Sequence, residues 1–189
     1  MTLADLTPFP PAQHAALAVD ADRRWHCRSL GSADLPWLLA LYASTREQEL
    51  LAVPWPAPLK QQFLAQQFAA QHQHYLGHYP AAHYLAIECE GQPVGRCYLD
   101  DTGEACDRLV DISLFPPWRG HGIGSALIQD LQKGAAARGR GLALHVMAHN
   151  LAAQRLYARL GFIAQGASAD DLYLPMCWYP AADRPAAFS

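Results

Sequence analysis

The sequence predicts a mixed α/β domain, α+β-like in character, with helices on both faces of one sheet. Three observations predict it. The elements read in the order β-α-α-β-β-β-α-β-α-β-β. Hairpin-linked strands come first, which calls for antiparallel pairs. A β-α-β crossover comes later, which adds a parallel pair, so the sheet is not uniformly parallel.

Each element has its own local cause. Trp25 to Leu30 is a short first strand. Ser32 is a candidate N-cap for a helix through Asp34-Leu35-Pro36-Trp37-Leu38-Leu39, with proline tolerated in the first turn. Pro54, Pro56 and Pro58 break the chain before a second helix from about Leu59 to His78. Tyr84–Cys89 and Val94–Leu99 are strands joined by Glu90-Gly91-Gln92-Pro93, a hairpin signal. Leu109 to Phe115 is a further strand. Gly122 to Arg138 is a helix with Ile123, Leu127 and Leu131 on one face. Leu142–Met147 is a strand and Leu151–Leu160 a helix. Phe162 and Leu172–Trp178 fall in the last strands. The domain spans residues 23–179, between a Pro- and Ala-rich N-terminal extension (1–22) and a C-terminal tail (180–189).

Composition narrows the function classes. About half of the 189 residues (51%) are apolar, enough for a core without disulfides or metal. The formal net charge is -3, from 14 basic and 17 acidic residues, which argues against a nucleic-acid binder. No run reaches the roughly 18 apolar residues of a bilayer span. The N-terminus lacks the order of a secretory signal. The five cysteines (Cys27, Cys89, Cys97, Cys106, Cys177) are odd in number and form no CxxC pair, which reads as reduced thiols in a cytoplasmic protein.

The chemistry lies in Leu109-Val-Asp-Ile-Ser-Leu-Phe-Pro-Pro-Trp-Arg-Gly-His-Gly-Ile-Gly-Ser125. A strand leads into a loop with Gly120, Gly122 and Gly124, and the loop opens a helix. Glycines let the backbone take positive φ and let a ligand approach closely. The unbonded N–H groups of the first helical turn, aided by the helix dipole, suit a pyrophosphate. Arg119 at the rim adds a charge-assisted contact. A nicotinamide or flavin site fits less well: the spacing is G-x-G-x-G, and no acid follows the next strand. The Gly-Lys-Ser/Thr of a P-loop is absent. A glycine-rich helix start with no ligand is the plain alternative.

These residues resemble the GCN5-related N-acetyltransferase (GNAT) superfamily in two linked motifs. The first is Arg119-Gly-His-Gly-Ile-Gly124. The second is Val146-Met-Ala-His-Asn150, followed by Ala153, Tyr157 and Leu160-Gly161-Phe162. The resemblance implies a mostly antiparallel sheet of about seven strands, splayed open at a slot for acetyl-CoA. It implies that Arg119, Gly120, His121, Gly122, Ile123, Gly124 and Ser125 hold the pyrophosphate. Ile112, Ser113 and Leu114 would bind the pantetheine arm through their backbone, with an N–H near Leu114 polarising the thioester carbonyl. Asn150 and Ala153 would contact the cofactor, although Asn150 is also a good N-cap. Tyr157, seven residues on and two turns along the same face, would protonate the departing thiolate. A half-buried core aromatic is the plain reading of Tyr157.

Acyl transfer needs a neutral amine, so a proton acceptor is sought. Asp111, sharing a strand face with Ser113, is the first candidate, ahead of Glu88, His121 and His149. The acceptor wall falls in Leu59–Tyr79, which holds six glutamines, three histidines and one fixed charge, Lys60. Leu64, Phe68, Tyr75 and Tyr79 form an apolar helical stripe, and Gln67, Gln71, His74 and His78 an adjoining polar one. Glu47, Trp55, Gln71, His74 and Glu88 are the candidate acceptor contacts; a stripe that merely packs and a stripe that is merely solvated are equally good readings. His74 and His78 have metal-pair spacing but no third ligand, so no metal is expected. The sequence therefore reads as an N-acyltransferase passing acetyl from acetyl-CoA to a small-molecule or peptide amine in a ternary complex, with a homodimer possible and no nucleic-acid or membrane partner. The alternatives are transfer of another short acyl group, or a CoA-binding regulatory module without catalysis.

Overall fold

A computed structural model describes residues 3–11, 23–166 and 172–181. The expected C-terminal tail and the second half of the N-terminal extension lie almost wholly outside the described residues. The strands are β1 (Trp25–Ser29), β2 (His83–Cys89), β3 (Gln92–Asp100), β4 (Cys106–Leu114), β5 (Gly141–Met147), β6 (Ile163–Ala164) and β7 (Tyr173–Trp178). The helices are α1 (Leu35–Leu51), α2 (Ala57–His78), α3 (Ile123–Ala137) and α4 (Leu151–Arg159). The strands form one seven-stranded sheet in the order β1-β2-β3-β4-β5-β7-β6. Every pair is antiparallel except β4 with β5.

Strand alternation sorts the core into two layers. Leu85, Ile87, Cys97, Leu99, Leu142 and Leu144 face α3, whose Ile123, Leu127, Ile128 and Leu131 cover them. Tyr84, Ala86 and Tyr98 face the opposite way, against Leu38 and Tyr42 of α1 and Phe68 of α2. The apolar stripe of α2 thus packs on the sheet, with Leu64, Tyr75 and Tyr79 at its margins. Leu6 and Phe9 of the N-terminal segment are buried in this second layer, and the His72 ring is hydrogen-bonded to the Thr7 carbonyl.

One irregularity positions everything that follows. The β3–β4 register pairs Tyr98 with Asp111 but Leu99 with Leu109, so Val110 has no partner. This is a β-bulge, which bends a strand and increases its twist. Val110 consequently turns to the α2 face beside Asp111, between Leu109 and Ile112 on the α3 face. The parallel β4–β5 ladder runs from Cys106–Gly141 to Leu109–Leu144 and stops at the bulge. Beyond it β5 pairs only with β7, and the two strands diverge. The closed end is tied by Asp107, which is 1% exposed and ion-paired to Arg138 and Arg140.

Element ends shift by one to three residues from the sequence reading, and two differences have a local cause. Ser32 does not cap α1: Ser32–Asp34 form a 3-10 turn, and Asp34 occupies the cap position. The strand expected from Leu109 begins at Cys106, because the parallel pairing with Gly141 extends it.

Asp34 anchors the start of α1. It accepts from the Gly31 amide and Trp37 Nε1, both at 2.8 Å, and takes Arg28 on both oxygens at 2.8 Å. Burial alone would raise its pKa, but Arg28, the Gly31 amide and Trp37 together hold it down at about 2. A lowered native value means the folded state binds fewer protons, so this stabilisation is present above the ordinary carboxylate range, near pH 4, and is lost as pH falls through about 2. In urea unfolding, Asp34→Asn should lower stability most at pH 7, and its difference from wild type should close toward pH 2. A difference that stays constant with pH would remove the Arg28–Asp34 pair from the account.

Candidate active site

The divergence of β4 from β5 exposes main chain. Phe115 N–H donates to the Val94 carbonyl across β3 at 2.9 Å. Alternation then turns the main-chain groups of Ser113 and Asp111 toward β3 as well, and those of Ile112 and Leu114 toward the opening. The Leu114 carbonyl confirms the direction, since it accepts from Arg119 Nε at 2.8 Å outside the β3 ladder. That bond also anchors the Arg119 side chain at the rim.

The glycine loop stands at the mouth of this opening. Gly120 (φ 78°) and Gly122 (φ 82°) occupy the left-handed region, where any other residue is strained. Gly122 caps α3, and the first intrahelical bond is Ala126 N–H to the Gly122 carbonyl. The amides of Gly120 through Ser125 donate to no protein acceptor among the described residues. A positive-φ turn, a run of free N–H groups and the positive end of a fifteen-residue helix together make an anion cradle. The His121 ring is exposed and hydrogen-bonded to the Arg119 carbonyl, on the outside of the loop.

Tyr157 projects from α4 into the α3-side layer, 5.7 Å from the Phe162 ring. Its hydroxyl has no hydrogen-bond partner among the described residues and is not sealed from solvent. Burial, then the nearby Asp111 and Cys97, push the phenol up to about 12. The group is therefore protonated throughout the neutral range. Proton transfer from such a donor to a thiolate of ordinary pKa about 8.5 is more uphill than from an unperturbed tyrosine. Asn150 caps α4, its side chain accepting from the Ala153 amide at 3.1 Å.

On the α2 face of β4 lies a connected polar cluster. Arg96, 3% exposed, meets Asp111 through Nε at 3.1 Å and Nη2 at 3.0 Å, and Nη2 also donates to Gln71 Oε1 at 2.7 Å. Tyr75 Oη donates to Asp111 Oδ2 and Ser113 Oγ to Asp111 Oδ1, each at 3.0 Å. Four donated bonds fill the acceptor capacity of one carboxylate. The carboxylate expected from the sequence as the base is thus fully engaged by protein donors.

The remaining acceptor candidates scatter. Gln71 joins the cluster. Glu88 is held by Arg28 at 2.7 Å and His26 at 3.2 Å, in the ion network that also binds Asp34. His74 is exposed and stacks on His78 with ring centroids 4.0 Å apart. Trp55 is 41% exposed and meets Phe63 edge-on. Glu47 lines a separate cleft of about 320 Å³ between α1 and α2, with Lys60 and Leu64. Among the described residues, no three His, Cys, Asp or Glu side chains are grouped to hold a metal. Cys97 is sealed beneath the site, its thiol pushed well up by burial, which leaves it inert as a nucleophile. Sequence reasoning missed Arg96 and the inward bond of Tyr75. A lone arginine in Val94-Gly-Arg-Cys-Tyr-Leu99 was the available signal, because a buried charge demands a partner.

Comparison with known proteins places this geometry. Residues 42–162 match the acetyltransferase (GNAT) family. An uncharacterized N-acetyltransferase of Bacillus subtilis (strain 168), YycN, is 40% identical over 55 residues, 29% of this chain. That match spans 35% of the relative's own length. The fold is similar to that of PaiA N-acetyltransferase from Thermoplasma acidophilum in complex with coenzyme A, with a TM-score of 0.62 and 14% identity over 82% of this chain and 99% of that one. It is also similar to RimL, the ribosomal L7/L12 alpha-N-protein acetyltransferase, in complex with coenzyme A, with a TM-score of 0.63 and 18% identity over 89% and 100% of the chains.

The width of the opening depends on Gly95. A Cβ there would collide with Ser113 O and come within 2.6 Å of Leu114 Cδ2. Gly95→Ala should therefore push β4 into the opening, destabilise the fold by about 1–3 kcal/mol as overpacking does, and weaken coenzyme A binding in calorimetry. Gly77→Ala, on an open stretch of α2, is the control and should leave coenzyme A affinity unchanged with stability equal or slightly raised. Full coenzyme A affinity in Gly95→Ala would separate β4 from the ligand.

Proposed function

The chain belongs to the GNAT acetyltransferase family, and we propose that it transfers acetyl from acetyl-CoA to a primary amine of a small molecule or peptide, directly, within a complex holding both substrates. The observation that carries this reading is the pairing of two main-chain features. The Ile112 main chain and the Leu114 N–H offer an unpaired strand edge, and the amides of Gly120 to Ser125 offer an anion cradle beside it. An extended arm ending in a diphosphate matches both at once. RimL acts on a ribosomal protein by its name; a peptide amine is one of the two acceptor classes proposed here.

The residues divide the work as follows. Acetyl-CoA, when bound, supplies an activated thioester. The Leu114 N–H, fixed in the strand, faces where the carbonyl oxygen gains charge, which is the oxyanion-hole role. Tyr157 keeps its proton and hydrogen-bonds the leaving sulfur as charge develops there. Asp111, locked to Arg96, positions the α2 face of β4. The ammonium proton leaves to water in the opening. The neutral amine attacks the thioester carbonyl to form the C–N bond, and the C–S bond breaks to release the thiolate. The proton then lost by the acylated nitrogen passes through water to that thiolate. Holding both substrates in line supplies the rest of the rate.

Two measurements check this. Screening an amine panel by coenzyme A release should find an acceptor, and log kcat/KM for it should rise with unit slope from pH 6 toward the amine's own pKa. A plateau with an inflection near pH 6–7 would install a side-chain base. Tyr157→Phe should lower turnover about ten- to a thousandfold with coenzyme A affinity nearly unchanged. Unaltered turnover would take Tyr157 out of the reaction. Acetyl-CoA binding with no turnover on any amine would overturn the enzyme reading.

A further inference from the structure

We infer that Ser113, with Tyr75 beside it, is a specificity-determining residue that reads the N–H groups of the acceptor and so selects primary amines. The inference rests on the acetyltransferase reading above and deepens it. A hydroxyl has one proton and two lone pairs. The proton of Ser113 is spent on Asp111 Oδ1 and that of Tyr75 on Asp111 Oδ2, each at 3.0 Å. Neither can turn that proton outward without abandoning a carboxylate, an acceptor that offers nothing in return. Asp111 is in turn held by two bonds from Arg96, whose side chain is 4% exposed. The polarity of both hydroxyls is therefore fixed by a buried ion pair: toward any ligand they act as acceptors only.

Placement makes this relevant to the acceptor. Ser113 lies between Ile112 and Leu114, whose main-chain groups line the opening, and its side chain lies on the α2 face. Tyr75 comes from α2 itself, the helix that covers that face. Ser113 and Tyr75 are both only partly buried, so an acceptor on this side would meet lone pairs from both β4 and α2. A neutral primary amine has two N–H donors and one lone pair. Donating to the hydroxyls leaves its lone pair free to attack. A secondary amine or an alcohol has one donor fewer, and a carbonyl oxygen meets lone pairs with lone pairs. An unpaired buried polar group is the strongest basis of discrimination a site can have.

The test uses benzylamine and N-methylbenzylamine as probes with the full-length protein. With acetyl-CoA, wild type should prefer benzylamine. Ser113→Ala should raise its KM about tenfold, the scale of one lost hydrogen bond, and shrink the primary-over-secondary preference, with the KM for acetyl-CoA within about twofold. Ser113→Thr, which keeps the hydroxyl, should restore both. Tyr75→Phe should erode the preference in the same direction. Unchanged selectivity in Ser113→Ala would overturn the inference and leave the acetyltransferase reading standing. If neither probe turns over, the same comparison is made by saturation-transfer NMR of benzylamine on the coenzyme A complex. Weaker binding to Ser113→Ala supports the inference, and equal binding overturns it.

Discussion

The structure depends on one unpaired residue, Val110. Its insertion into β4 bends the strand, ends the parallel ladder at Leu109–Leu144, and leaves Ile112 and Leu114 with main-chain groups that nothing in the sheet satisfies. Unpaired backbone polar groups are costly when buried and useful when a ligand satisfies them. The bulge survives because its side chain is accepted by the α2-side layer and because the other end of the same ladder is clamped by Asp107 between two arginines. A sheet tied at one end and bent open at the other is a slot, and the glycine loop falls at its mouth because β4 runs into it after a short turn.

The ion pair of Arg96 and Asp111 joins this slot to the helix layer. Gln71 and Tyr75 reach it from α2, and Ser113 from β4, so the helix and the strand share one network. Removing either charge would strand the other in a buried site, at a cost of about 3–5 kcal/mol. Substitutions at Asp111 therefore report on stability and positioning together. Ser113 and Tyr75, at the edge of the network, separate the two.

Local features of the site were legible in the sequence. The glycine loop and the start of α3 are encoded in contiguous residues, as are the cap at Asn150 and the placement of Tyr157 two turns along α4. The apolar stripe of α2 followed from helical periodicity. The long-range features were not legible. Period-two alternation gives no sign that Val110 and Asp111 share a face, because the bulge is a property of the β3–β4 register. Without that register, Arg96 cannot be matched to Asp111, and Asp111 reads as a free carboxylate. A helical wheel shows that Gln71 and His74 are both polar, but only packing decides that Gln71 turns inward to Arg96 while His74 stacks on His78 in solvent. The pKa of Tyr157 was hidden for the same reason, since burial against Phe162 and Cys97 is set by tertiary structure.

Amide hydrogen exchange with and without coenzyme A tests the central claim most directly. The account expects ligand-induced protection at Ile112, Leu114 and the run from Gly120 to Ser125, with Ser113 already protected by its β3 partner. Protection confined to the cleft between α1 and α2, with the β4 edge and the glycine loop exchanging as before, would contradict it.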